Sequence, residues 1–191
     1  DIKEVVKVLD YFEERENAYI VMEFVQGISL RQYLESRNQP MSFTEAWNFL
    51  LPVMEALEKV HQNKFIHRDI SPDNFIIKED GSIKLLDFGS AREYAEEKTM
   101  TVLVKKGYAP PEQYSRKGKQ GPWTDIYSIC ATLYEMITGV IPQPAMERLK
   151  ADKLYLPSSY GCDITPLQEK ILMKGLALDY KKRYKDIAEL K

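Results

Sequence analysis

His67-Arg68-Asp69-Ile70-Ser71-Pro72-Asp73-Asn74, followed eighteen positions after Asp69 by Asp87-Phe88-Gly89, is the stretch on which the reading of the 191 residues turns. Two short β-like runs, Phe-Ile-Ile-Lys-Glu (75–79) and Ser-Ile-Lys-Leu-Leu-Asp (82–87), lie between the two clusters. They flank Asp80-Gly81, a strong tight-turn signal, so each cluster sits just outside one strand of a small hairpin. Alone, each cluster is commonplace: His-Arg-Asp occurs in many loops, and Asp before Phe-Gly can be a mere turn former. In this order and spacing they are not a coincidence of loop composition.

Upstream, residues 5–12 and 18–25 are two β-rich runs joined by Glu-Glu-Arg-Glu-Asn-Ala, which predicts an antiparallel hairpin. Gly27 breaks the second run, and Ser29 caps a short helix with Leu30, Tyr33 and Leu34 in helical spacing. From Ser42 to Gln62, Ala46, Phe49, Leu50, Val53, Leu57 and Val60 form one stripe of the longest helix, with Pro52 a tolerated kink. His61, near its end, reads as a partner of the helix dipole. Downstream, residues 90–114 are polar and aperiodic, which predicts a long loop. Asp125 to Thr138 is apolar nearly all round, as a buried helix is, and Gly139 ends it. Pro166 opens a last long helix, with Leu167, Ile171, Leu172, Gly175 and Leu176 expected to face inward. Strands first and helices after give an α+β fold.

Composition sets wide bounds. Hydrophobic residues at 44% and charged residues at 29% are those of an ordinary globular domain, and a net charge of −2 offers no general attraction to nucleic acid or anionic lipid. No apolar run approaches the roughly 20 residues of a membrane span, so no membrane segment is expected in these residues. The two cysteines, Cys130 and Cys162, have no metal-ligand spacing and read as buried thiols of a reducing, cytoplasmic compartment.

Asp69 through Asn74 resembles the catalytic loop of eukaryotic-like (Hanks-type) serine/threonine protein kinases, and Asp87-Phe88-Gly89 resembles their metal-binding motif. Gly107-Tyr108-Ala109-Pro110-Pro111-Glu112-Gln113-Tyr114 looks like the element that closes their activation segment, in a bacterial style, and Asp125 and Arg183 stand at two further landmark positions. The resemblance implies a kinase-like fold, with a mostly helical large lobe over residues 27–191 and the last hairpin of the small lobe plus hinge over residues 1–26. It implies phosphoryl transfer from Mg-ATP to a protein hydroxyl, in which the protein positions the reactants and neutralises charge. By that resemblance Asp69 accepts the substrate proton, Asn74 and Asp87 hold magnesium, and Arg68 senses phosphate on the activation loop, at Thr99 or Thr101. Met22 is the gatekeeper. The backbone of Glu23, Phe24 and Val25 meets adenine, Ile76 floors it and Ser29 lies near the ribose. Asp125 braces the catalytic loop, His67 and Phe88 join an apolar spine, and Glu112 pairs with Arg183.

The chain departs from that pattern in two places. Kinases of this class carry lysine two positions after the catalytic aspartate, where Ser71 stands, and threonine in the peptide-docking loop, where Lys105 stands. A reciprocal exchange is expected: Ser71 takes the hydroxyl role and Lys105 the phosphate-binding one, since a point charge serves from either strand. The second departure is that no glycine-rich loop and no strand lysine are among the 191 residues. The piece is therefore expected to be a partial domain with negligible turnover of its own, and its hairpin is expected to expose an edge that favours a homodimer. Among rival readings, a pseudokinase or scaffold is opposed by the intact Asp69, Asn74 and Asp87. A small-molecule kinase is opposed by the Pro-Pro-Glu element and the helix opening with Asp125.

Overall fold

The computed structural model describes residues 2–15, 17–86, 92–93 (backbone only), 104–115 and 117–191. The expected Asp87, Phe88, Thr99 and Thr101 roles therefore lie outside the described residues. Strands β1 (Val8–Glu14) and β2 (Asn17–Met22) form the expected antiparallel hairpin, the first strand starting later in the chain than expected and the second ending earlier, with Phe12 stacked on Tyr19 across the pair. Every residue of both strands is solvent-exposed. Ahead of β1, the chain does something the sequence pattern did not signal. Val6 donates to the Leu85 carbonyl at 3.0 Å and Leu85 to the Glu4 carbonyl at 2.8 Å, so residues 4–6 add a parallel edge to the hairpin that follows Asn74.

That second sheet contains β3 (Ile28–Ser29), β5 (Phe75–Ile77) and β6 (Ile83–Leu85), in the order β3-β5-β6. Gly27 precedes β3 because a Cβ there would collide with the Ile77 carbonyl. Helix α1 (Leu30–Ser36) starts at Ser29 in a capping box with Gln32, and α2 (Phe43–Gln62) starts at Ser42, whose hydroxyl accepts from the Glu45 amide at 3.2 Å. The Ser29 cap is the expected one, and Ser42 stands at the expected first position of the longest helix. Strand β4 (Phe65–Ile66) leads into the segment His67–Asn74 and pairs with β7 (Arg92–Glu93). This corrects the expectation of unbroken loop over 90–114: β7 lies in it, and Pro111–Tyr114 forms a 3-10 turn.

Helix α3 (Pro122–Thr138) is the axis of the core, every residue from Thr124 onward being buried, and Gly139 closes it in the left-handed conformation at φ 71°. Around it pack α2, the short α4 (Ala145–Arg148), α5 (Pro166–Gly175) and α6 (Ile187–Leu190). Two expectations fail here. Leu167 is 67% exposed, because it sits in the first turn of α5 before that helix reaches α3, whereas Leu172, Gly175 and Leu176 do face the core. Cys162 is only half-buried, its thiol donating to the Ile137 carbonyl at 3.0 Å; Cys130 alone is fully enclosed, and burial pushes its thiol up to about 12.

Candidate active site

Ser71, Pro72 and Asp73 turn the chain so that Asn74 faces Asp69. The Asn74 amide nitrogen donates to the Asp69 carbonyl at 2.7 Å and to the Asp69 carboxylate Oδ2 at 2.9 Å. With the nitrogen so engaged, the amide is oriented, and neither its oxygen nor Asp69 Oδ1 forms a hydrogen bond among the described residues. Two oxygens on adjacent side chains are thus left for a ligand, a donor set that suits a hard divalent cation and a hydroxyl. They are the two acid-amide members of the expected site that the described residues contain; Asp87 is the third.

Asp125, fully buried at the start of α3, holds the preceding backbone. Its Oδ2 accepts from the His67 amide and its Oδ1 from the Arg68 amide, each at 2.8 Å. Arg68 is one of only three non-glycine residues with positive φ among the described residues, at 73°, a conformation that costs about 1–2 kcal/mol and needs such anchoring. His61 Nε2 also contacts Asp125 Oδ2 at 2.8 Å. This replaces the helix-dipole reading of His61: α2 delivers it into the core and not to solvent. Burial works to raise the Asp125 carboxyl, but the His61 hydrogen bond, the imidazoles of His61 and His67 and the Arg68 amide together hold it below the usual carboxylate range.

Such an aspartate stabilises the fold fully above its unfolded pKa of about 3.9 and loses that contribution as pH falls through the lower folded value. Asp125→Asn keeps the shape and removes the charge, so it is expected to cost about 1.5–3 kcal/mol near neutrality. The gap from wild type should narrow between about pH 5 and pH 2, followed by denaturant unfolding at each pH. A gap that widened on acidification would contradict this assignment.

The residues expected on the adenine side lie at the end of β2 and in the sheet β3-β5-β6. β2 ends at Met22; Glu23 donates its amide to the Lys7 carbonyl at 2.9 Å and its carboxylate pairs with Lys84. The Lys84 and Lys7 hydrogen bonds hold that carboxyl below its usual range. No hydrogen bond among the described residues uses the backbone of Phe24 or Val25, so their amides and carbonyls are open to a base. Ser29 and Ile76 are cross-strand partners in β3 and β5, which places the expected ribose-side residue opposite the expected floor. The Ser29 hydroxyl itself is engaged with Gln32 as the helix cap.

Lys105 and Ser71 are not joined by a hydrogen bond among the described residues. Lys105 Nζ instead contacts Asp73 Oδ2 at 2.7 Å, while Ser71 Oγ is buried with no partner among the described residues. Partial burial works to raise the Asp73 carboxyl, but Lys105 and Arg31 hold it low. Arg31, reaching from α1, also donates to Tyr108 and pairs with Glu135, and the Tyr108 hydroxyl donates to Glu135. This chain of contacts ties α1, the catalytic loop, the segment from Lys105 to Tyr108 and α3 together. Sequence reading missed it, although Glu135 carried a signal: a carboxylate in the later turns of a helix whose remaining residues, Asp125 apart, are uncharged must find a partner.

The Glu112–Arg183 pair is present, with Nη1 to Oε1 at 2.7 Å and Nη2 to Oε2 at 2.9 Å. Residues 1–174 match the family model described as the protein kinase domain. The chain belongs to the protein kinase family. The chain is 32% identical over 195 residues to the probable serine/threonine-protein kinase PknB of Lactococcus lactis, covering 97% of the chain and 31% of that relative. It is 33% identical to the serine/threonine-protein kinase PrkC of Bacillus subtilis, covering 100% of the chain and 30% of PrkC. The chain therefore spans about a third or less of the length of these curated relatives. Among solved structures, PpkA-294 in its apo form superposes with a TM-score of 0.80 at 30% identity, covering 100% of the chain and 68% of PpkA-294. The chain thus has the α+β protein kinase fold. No helix among its described residues is long and apolar enough to cross a membrane.

Proposed function

We propose that the protein transfers the terminal phosphoryl group of Mg-ATP to a serine or threonine hydroxyl of a protein substrate, and that it does so in the cytoplasm. The observation that carries this reading is the Asn74 amide bridging the backbone and carboxylate of Asp69, on a loop whose strained Arg68 is anchored by Asp125. The serine/threonine kinases named above support it. Asp69, steered by Asn74, accepts the proton of the attacking hydroxyl. Asn74 through its amide oxygen, with Asp87, would hold magnesium, which when bound neutralises charge on the phosphates. Phe24 and Val25 offer backbone groups to adenine, with Met22 and Glu23 before them, Ile76 beneath and Ser29 beside the ribose. Arg68 is assigned to the activation-loop phosphate. Residues 1–26 form the small-lobe hairpin and hinge, and 27–191 the large lobe.

Lys105 is assigned to the γ-phosphate, leaving Asp73 when nucleotide is present, with Ser71 supplying the facing hydroxyl. The orphaned Ser71 oxygen supports this, since a buried hydroxyl without a partner otherwise costs about 1–3 kcal/mol. In the full-length protein supplied with labelled ATP and generic protein substrates, label is expected on serine or threonine. Lys105→Ala and Ser71→Ala are each expected to lower that rate by about tenfold or more. Wild-type rates in both variants would remove the exchange, and label found only on tyrosine would remove the acceptor class.

Residues 1–191 alone contain no glycine-rich loop or strand lysine, so they are expected to turn over ATP negligibly. The apolar side chains exposed along β1 and β2 support pairing of two copies of this piece through the hairpin. Brisk ATP hydrolysis by the purified piece, or a strictly monomeric mass in light scattering, would contradict the respective statement.

A further inference from the structure

Gln113 lies on the 3-10 turn Pro111–Tyr114, immediately after Glu112, whose carboxylate is fixed by Arg183. Its side chain is 2% exposed. The amide nitrogen donates to the Arg68 carbonyl at 2.7 Å. That carbonyl belongs to the peptide joining Arg68 to Asp69, and the other end of the same peptide, the Asp69 amide, donates to His67 Nδ1 at 3.3 Å. The peptide from which Asp69 projects is therefore held on both edges. One hold comes from within the catalytic loop, and the other crosses from the end of the activation segment. Gln120 adds a contact from the same side of the chain, its Oε1 accepting from Arg68 Nε at 2.9 Å.

The Gln113 side chain has an oddity that packing alone does not explain. Its Oε1 is buried and has no hydrogen-bond partner among the described residues. A side chain retained for stability would be expected to satisfy both ends of its amide or to be apolar, because a buried, unpaired acceptor is destabilising. Among the described residues only the donor end is used, and it is used on the peptide preceding Asp69.

We propose that Gln113 is a positioning residue for phosphoryl transfer: its amide sets the plane of the Arg68–Asp69 peptide, and through it the aim of the Asp69 carboxylate. The inference rests on the phosphotransfer reading above. It also gives the closing element of the activation segment a direct mechanical link to the proposed catalytic base, since any displacement of the Pro111–Tyr114 turn removes the donor from the Arg68 carbonyl.

The test is Gln113→Met in the full-length protein, which preserves length and bulk, deletes the donor and also deletes the unpaired acceptor. Three readings are expected: kcat lower by about tenfold, the worth of one well-placed hydrogen bond, with KM for ATP within about twofold; a thermal midpoint within about 3 °C of wild type; and an Asp69 amide that exchanges its hydrogen several-fold faster than in wild type. Gln113→Asn, which keeps the amide on a shorter arm, is expected to lie between the two in exchange rate. Unchanged exchange at Asp69 in the methionine variant overturns the proposal whether or not the protein phosphorylates anything. A kcat loss accompanied by a large fall in thermal midpoint would assign Gln113 to the fold and overturn it as well. A wild type that transfers no phosphate, with faster Asp69 exchange in the variant, would keep the positioning contact and remove the function assigned to it.

Discussion

Glu112→Ala is expected to lower the thermal midpoint by about 6–20 °C. Arg183 is 4% exposed, and besides the two bonds to Glu112 its guanidinium donates to the carbonyls of Ala177 at 2.6 Å, Leu178 at 3.0 Å and Trp123 at 3.0 Å. It also lies over the Tyr127 ring, 4.9 Å from the centroid. Held by so many contacts, it cannot swing into water when its counter-charge is removed. Breaking one side of a buried pair leaves an uncompensated charge and costs about 3–5 kcal/mol. For a domain of this size each kcal/mol corresponds to about 2–4 °C.

The loss should also spread beyond the pair. Glu112 accepts from the Thr124 hydroxyl at 3.1 Å, next to Asp125, and is followed by Gln113, so it couples the turn at Pro111–Tyr114 to the head of α3. Asp152→Ala provides the contrast. Asp152 also pairs with a buried arginine, Arg148, but its own side chain is 48% exposed, so solvent screens the pair and Arg148 keeps the Leu176 carbonyl. A smaller shift is expected there. Calorimetry or thermal circular dichroism decides the matter, and a Glu112→Ala midpoint within about 2 °C of wild type would contradict the assignment of this pair as a principal tie of the large lobe.

Much of the fold was legible because the local chemistry agreed with the final packing. Ser29 and Ser42 precede apolar stripes and cap α1 and α2; Gly139 follows a helix that is apolar nearly all round and ends it left-handed. The illegible parts depend on partners remote in sequence. Arg92 and Glu93 have nothing β-like about them and become a strand because Phe65 and Ile66 offer an edge. Residues 4–6 join β6 although nothing near them in sequence says so. Leu167 fits the apolar period of α5, but period cannot tell which turn of a helix reaches its neighbour.

The candidate site divides in the same way. The resemblance to the kinase motifs pointed to the Asp69–Asn74 loop and to Asp125 as its brace, and in the described geometry Asn74 contacts Asp69 while Asp125 holds the amides of His67 and Arg68. The identity of each side chain's partner was not readable, since it is decided by long-range packing. His61 turned out to face Asp125, and Lys105 to face Asp73. Gln113 gave no signal at all, because a glutamine after Pro-Pro-Glu is ordinary until its amide is seen against the Arg68 carbonyl.

The central claim is that the Asp69 carboxylate, oriented by Asn74, takes the proton of a protein hydroxyl during phosphoryl transfer. Asp69→Asn preserves the size of the side chain and a hydrogen bond to Asn74, so the fold should be unaffected, while the group that accepts the proton is gone. A positioned general base is worth about 10²–10⁴ in rate. The measurement is transfer of labelled γ-phosphate to protein by the full-length polypeptide, wild type and Asp69→Asn side by side, with thermal midpoints recorded for both. The expected result is robust transfer by wild type and a fall of about 10²–10⁴ in the variant at an unchanged midpoint. Equal rates in the two proteins, or no transfer by a folded wild type, would contradict it.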